Sequence, residues 1–310
     1  MKIVFMGTPR FGAMILEELI KKYEVVLVVT QPDKLVGRKQ ILEFSEVKKK
    51  AIEFNIPIFQ PQKIRKEYKE ILKYDFDLIV TAAFGQIINM ELIDYPKYKA
   101  INVHGSLLPR GRGGAPIQRS IMDGDEVTGI TIMYMAKGMD SGDIISQKEL
   151  IIGKEDNCDI LFEKMGKLGQ EMIIPAIESI IDGSVKRTPQ VESEATYSYN
   201  LTKEDEQIDF NRSAYLVNCQ IRALATSPGA FFMLDGIKYK VYSSTVLEKR
   251  TEFEPGYISN ITKKTIEISC GDGKVLEIRE IKKEGKILMK VSEFLNGAGR
   301  DIKVGQKLNN

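Results

Sequence analysis

The sequence predicts an α/β fold built on a mostly parallel sheet, followed by a small antiparallel β-domain. Three observations point there. Residues 2–6 form a short apolar run that breaks into Gly7-Thr8-Pro9-Arg10-Phe11-Gly12, continues as a helix face of Phe11, Ile15, Leu16, Leu19 and Ile20, and returns as a second apolar run at 25–29. Strand, glycine-bearing turn, helix and strand in that order imply a parallel pair, because parallel neighbours need a crossover between them. Further apolar runs of strand length recur at 77–81, 100–103 and 127–135. Residues 231–290 change character: short strands alternate with turn signals at Asp235-Gly236, Pro255-Gly256 and Gly271-Asp272-Gly273. That spacing belongs to a small antiparallel barrel or sandwich.

The first turn has its two glycines five apart and lacks Gly-x-Gly-x-x-Gly. They are therefore read as letting strand and helix pack closely, not as a dinucleotide site. Residues 30–50 read as a loop with Lys34, Arg38 and Lys39 around Gly37, leading into Lys48-Lys49-Lys50 at a helix start. Charge alone suggests a solvated basic surface. After the strand at 77–81, Ala82-Ala83-Phe84-Gly85-Gln86 offers small residues and one aromatic, a lining suited to a flat ligand.

The strand at 100–103 leads into His104, the only histidine of the chain. Asn102 and His104 lie two apart, so on extended backbone they face the same way. In open α/β sheets, ligands gather beyond the carboxyl ends of the strands. Position alone leaves two readings open, a loop-capping histidine and a site histidine. A helix is predicted over 116–122, with proline in its first turn, and then the strand at 127–135 with Thr128 and Thr131. In Gly138-Met139-Asp140-Ser141-Gly142-Asp143, two glycines hold an aspartate in a tight bend. Alone, Asp140 reads as a turn residue; beside a strand-end histidine it becomes a candidate orienter of the imidazole. Asn157 is placed to cap a long helix carrying Ile160, Leu161, Met165, Leu168, Met172 and Ile173, with Pro175 inside it and Gly183 at its end. Residues 184–206 lack sustained periodicity and read as a linker, and a short helix follows at 214–224.

Composition narrows the classes. The 310 residues allow two domains, one or both able to bury a core. A net charge of +2 neither requires nor excludes a polyanionic partner. Residues 201–310 carry 18 Lys+Arg against 15 Asp+Glu, a modest basic excess in the β-domain. No apolar run approaches the ~20 residues that span a bilayer, so a non-membrane, cytoplasmic chain is expected. Cys158, Cys219 and Cys270 are scattered and odd in number. That suits a reducing compartment, and with one histidine it predicts no metal site.

These motifs together resemble, from end to end, the methionyl-tRNA formyltransferase family of folate-dependent formyltransferases. The resemblance rests on residues 2–9, the corner Thr30-Gln31-Pro32-Asp33, and Asn102-Val103-His104-Gly105-Ser106-Leu107-Leu108-Pro109. Ala115-Pro116-Ile117-Gln118-Arg119, residues 128–133, residues 138–143, Ile208-Asp209-Phe210 and Ile221-Arg222-Ala223 add to it. Three places depart from the family's habit: Gly111 stands between Arg110 and Arg112 where a bulky aromatic is usual, Glu43-Phe44-Ser45 replaces Pro-Ser-Pro, and Gly229 follows Pro228 where a tryptophan is common.

The resemblance implies a Rossmann-like, folate-binding catalytic domain over 1–187, a linker over 188–206, and an OB-like tRNA-binding domain over 207–310. It implies 10-formyltetrahydrofolate as co-substrate and the α-amino group of methionyl initiator tRNA as acceptor. It assigns Asn102, His104 and Asp140 to catalysis, Ser106, Leu107, Leu108 and Pro109 to folate contact, and Arg38 to the tRNA. A monomer satisfies all of this. Two rivals share the motifs: a formyltransferase acting on a nucleotide-linked amino sugar, and a non-catalytic tRNA-binding protein on the same scaffold.

Overall fold

The computed structural model describes residues 1–36 and 41–309. Its elements run β1 (Lys2–Gly7), α1 (Arg10–Ile20), β2 (Glu24–Val29), β3 (Lys34–Val36), β4 (Ile41–Glu43), α2 (Glu46–Glu53), β5 (Ile58–Phe59), α3 (Ile64–Glu67), β6 (Leu78–Ala82), α4 (Met90–Asp94), β7 (Ala100–His104), α5 (Pro116–Met122), β8 (Val127–Tyr134), β9 (Ile144–Ile151) and α6 (Cys158–Ile181). Then follow α7 (Lys203–Glu206), α8 (Ala214–Ala223), β10 (Ala230–Leu234), β11 (Ile237–Arg250), β12 (Ile258–Ile261), β13 (Ile266–Ser269), β14 (Lys274–Lys283), β15 (Met289–Lys290) and α9 (Val291–Leu295). The chain divides into two compact units, one of residues 1–116, 127–151 and 162–199, the other of residues 117–126, 152–161 and 200–310.

In the first unit, seven strands among the described residues form one sheet in the order β5-β2-β1-β6-β7-β8-β9. The first five are mutually parallel, while β8 runs antiparallel to β7 and β9 antiparallel to β8. The sheet is thus mostly parallel, as the alternation of strands and helices predicts. Strands β1 and β6 are buried almost throughout, the continuous apolar pattern of strands covered on both faces. The first turn does what its glycines suggest: a Cβ on either Gly7 or Gly12 would stand 2.8 Å from the Ala82 carbonyl oxygen. Asn157 caps α6 through a 3.0 Å hydrogen bond from the Ile160 N–H, and Pro175 lies inside that helix.

In the second unit, six antiparallel strands among the described residues run in the order β10-β11-β14-β13-β12, with β15 added beside β14. This is the expected β-domain. Register shifts between β11 and β14 at Val241, Ser243 and Leu247 mark bulges, which bend long strands. Phe210, Phe232, Tyr239 and Phe294 form its aromatic core, with successive ring centroids 5.4–6.3 Å apart. A capping box between Thr202 and Asp205 starts α7, and Asp205 also holds Arg119 at 2.7 Å through both guanidinium nitrogens.

All three cysteines are buried and unpaired. Burial pushes the Cys158 and Cys270 thiols up to about 12, which removes them as nucleophiles at neutral pH. No helix among the described residues is long and apolar enough to cross a membrane.

Candidate active site

The site is organised where β6 and β7 end side by side. Thr81 on β6 is the register partner of Asn102 on β7. Its hydroxyl donates to Asn102 Oδ1 at 2.7 Å and fixes which end of the carboxamide accepts. The Asn102 N–H groups are then what this side chain offers to a ligand. Two residues on, His104 is 5% exposed. Its Nε2 lies 2.9 Å from the Gly111 carbonyl oxygen. A carbonyl can only accept, so Nε2 carries the proton, and in the neutral ring Nδ1 is bare. Nδ1 faces Asp140 Oδ2 at 3.7 Å. That is longer than a hydrogen bond, and it becomes a charge contact only when the ring is protonated. Asn102, His104 and Asp140 thus come from one strand end and one turn, and His104 and Asp140 stand face to face.

Asp140 is held from both sides. The Gly113 N–H donates to its Oδ2 at 2.8 Å, and the Gln190 side-chain amide donates to its carbonyl at 2.8 Å. Its backbone is left-handed, with φ +46°, a conformation aspartate adopts more readily than most residues. Gly111 and Gly113 therefore work as a pair: the carbonyl of the first fixes the imidazole, and the N–H of the second fixes the carboxylate.

Gly111 itself has φ +76°. A Cβ there would stand 3.0 Å from the Ser106 Cβ. Glycine relieves both the backbone conformation and the close approach. This gives a physical reason for the departure from the aromatic expected at this place.

Arg112, between them, is 2% exposed. Its Nε donates to Gln190 Oε1 at 3.1 Å and its Nη1 to both carboxylate oxygens of Glu192, at 3.0 and 2.9 Å. Gln190 also donates to the Gly142 carbonyl at 2.8 Å, so one side chain ties the Arg112 loop to the Asp140 turn. The backbone of 109–115 is bridged to 196–198: Thr196 N–H to the Pro109 carbonyl, Arg112 N–H to the Thr196 carbonyl, Ser198 N–H to the Arg112 carbonyl, and Ala115 N–H to the Ser198 carbonyl. The stretch expected to be a linker over 188–206 therefore includes, up to residue 199, the brace of the site. Its residues escaped the sequence reading because extended backbone pairing leaves no periodic signature.

The residues implied for folate contact turn partly inward. Leu108 is 3% exposed and packs with Met133 and Ile144. The Ser106 hydroxyl donates to the Arg110 carbonyl at 2.7 Å. Thr131 on β8 knits the turn, donating to the Ser106 carbonyl at 2.6 Å and accepting from the Leu108 N–H at 3.1 Å. Gln147 on β9 donates to the Leu108 carbonyl at 2.7 Å. Leu107 and Pro109 stay partly exposed, and the Leu108–Pro109 peptide is cis.

Beyond β6, Phe84 and Ile88 lie in the core, 5% and 7% exposed. Phe84 is therefore not the flat-ligand wall its position suggested: its ring fills the interior, and its carbonyl accepts from Thr8 and Gln31. Gly85, Gln86 and Ile87, between these two anchors, face a cavity of about 430 Å³ that Gln31 and residues 62–66 complete. Arg38, implied for the tRNA, and Lys39 of the same basic loop lie outside the described residues. Among the described residues, no three His, Cys, Asp or Glu side chains converge to hold a metal ion.

With this geometry in place, comparison with known proteins is specific. The formyl transferase family matches residues 1–177, and the formyl transferase C-terminal domain matches residues 200–299. A methionyl-tRNA formyltransferase from Latilactobacillus sakei is 45% identical over 99% of this chain and 97% of its own. One from Staphylococcus aureus is 43% identical over 99% of both. Among solved structures, the N-formyltransferase from Helicobacter canadensis, in complex with folinic acid and dTDP-3-aminofucose, superposes with a TM-score of 0.70 at 18% identity, covering 91% of this chain and 99% of that one. At that identity the likeness concerns the fold alone.

Proposed function

The chain belongs to the formyl transferase family, and on that footing we propose that it transfers the formyl group of 10-formyltetrahydrofolate to the α-amino group of methionyl initiator tRNA. The observation that carries the reading is full-length similarity to methionyl-tRNA formyltransferases at 45% identity. The facing pair of His104 and Asp140 supplies the chemistry. The reading implies a cytoplasmic enzyme working as a monomer, with no metal in the reaction.

Formyl transfer forms a bond from the amine nitrogen to the formyl carbon and then breaks the bond from that carbon to the folate nitrogen. Between the two steps the formyl oxygen carries negative charge. Donors already aimed at such an oxygen are each worth about 2.7–4 kcal/mol in the barrier. Asn102, its Oδ1 already held by Thr81, serves as that donor through its amide N–H.

The amine must also lose a proton. His104 receives it at Nδ1, because the Gly111 carbonyl keeps the other nitrogen occupied. Asp140, 3.7 Å away, stabilises the imidazolium that results, as the carboxylate of a catalytic triad does. The pair then returns a proton to the departing folate nitrogen, so the protons balance and no covalent enzyme intermediate is needed.

The folate co-substrate is assigned to the ends of β6 and β7. Ser106, Leu107, Leu108 and Pro109 form one side, the partly exposed Leu107 and Pro109 as contacts and the buried Ser106 and Leu108 as anchors. Residues 84–88 form the other side, through Gly85, Gln86 and Ile87. Arg38 and the second unit are assigned to the tRNA, whose phosphates make binding weaken as salt rises.

The deciding assay supplies 10-formyltetrahydrofolate with either methionyl initiator tRNA or an amino-sugar nucleotide. Formylation of the tRNA alone is expected. Transfer only to the sugar would replace the acceptor, and transfer to neither would leave a binding protein on an enzyme scaffold.

A further inference from the structure

Beside the active-site loop, two tyrosines are displayed on a rigid edge. Residues 196–198 run parallel to the loop and bridge to it at Arg112 and Tyr197. Ser198 turns inward and is 8% exposed. On extended backbone, side chains alternate, so Tyr197 and Tyr199 share the outer side, 47% and 62% exposed. Their ring centroids are 5.6 Å apart and their planes differ by 7°. Single exposed aromatics are common, but two parallel rings on a strand pinned to the catalytic loop present ring faces of one defined orientation. Through Gly111 and Gly113, that loop also holds His104 and Asp140.

We propose that Tyr197 and Tyr199 form a stacking platform for an unpaired nucleobase at the 3′ end of the acceptor tRNA. The inference rests on the acceptor assigned above and adds a binding site to it. An aminoacylated tRNA carries its amino acid on the terminal ribose, so unpaired bases arrive beside the reacting amine. Every base has a π-face, and stacking on an aromatic ring holds it without reading its identity. A pair of parallel rings fixed to the loop that orients the catalytic pair, with an outer ring face open for a base, places the last nucleotides and spares the site a base-specific contact.

The chain contains no tryptophan, so Tyr199→Trp introduces a single fluorescent reporter. Initiator tRNA with an intact 3′ end should quench it, and the same tRNA trimmed of its unpaired 3′ nucleotides should not. In kinetics, Tyr197→Ala combined with Tyr199→Ala should raise KM for methionyl-tRNA about tenfold, or ~1.4 kcal/mol, and leave KM for 10-formyltetrahydrofolate unchanged. Tyr197→Phe with Tyr199→Phe keeps the rings and should retain the wild-type KM. Equal quenching by trimmed and intact tRNA, a wild-type KM in the double alanine variant, or equal impairment of the phenylalanine and alanine variants would overturn the platform. If the alanine variant fails to fold, the tryptophan titration decides alone. A wild-type protein unable to formylate methionyl-tRNA would instead remove the assigned acceptor, a separate result.

Discussion

Residues 102–113 and residues 190–199 build one site in opposite ways. The first stretch supplies chemical groups: a carboxamide, an imidazole, and a backbone carbonyl and N–H spaced to hold the ring and a carboxylate. The second supplies position through Gln190, Glu192 and four backbone hydrogen bonds to 109–115. One is recognisable by residue type, and the other only by where the chain goes. The difference shows how a buried imidazole is held with Nε2 against a backbone carbonyl. Its orienting carbonyl sits on a glycine loop that has little stiffness of its own, and the neighbouring strand lends it rigidity.

The comparison predicts a gradient of effects. The largest belong to the chemical groups. His104→Ala should lower kcat by about 10²–10⁴-fold, and Asn102→Ala by about 10²–10³-fold, both with the fold intact by circular dichroism. Unchanged turnover in either would remove that residue from the reaction. Asp140→Asn, which keeps the left-handed turn accessible, should cost at least about a hundredfold in kcat at unchanged KM for folate.

Changes in the brace should act on stability first. Arg112→Met leaves Gln190 and the loop unsupported, and urea denaturation should show a loss of about 2 kcal/mol with kcat falling alongside. A variant as stable and active as wild type would show that the buried guanidinium positions nothing. Gly111→Ala should cost about 1–2 kcal/mol because its φ of +76° is strained for any side chain.

The smallest effect lies away from this contrast, at Asp205. The Arg119 guanidinium and the Thr202 cap hold its carboxyl below the usual carboxylate range. A group lowered on folding stabilises above its unfolded value and gives that up as pH falls through the lower folded one. Asp205→Asn should therefore flatten the acid limb of the stability curve, with no change in its neutral limb's slope. An acid limb as steep as wild type would assign the slope to other carboxylates.

The same contrast explains what the sequence revealed. The parallel sheet was legible because residues 2–6 and 25–29 enclose a helix face, and the glycines at 7 and 12 marked the close turn between. His104 and Asp140 stood out as a lone histidine after a strand and an aspartate between glycines. Gln190 and Ser198 did not, because their partners are 48 to 86 residues away in sequence and no local pattern encodes that pairing. Strand β9 went unread because its outer face is polar and exposed. Phe84 misled for the converse reason: its type suited a ligand wall, but its burial was decided by the core around α4 and β6.

The most direct test uses the fact that the chain has one histidine. Nitrogen-15 NMR of that ring in its neutral form reports the tautomer without assignment ambiguity. A proton on Nε2 and a bare Nδ1 are predicted, with the bare nitrogen facing Asp140 to take the proton of the amine. A proton on Nδ1, or an even mixture of the two forms, would contradict the account of how this site works.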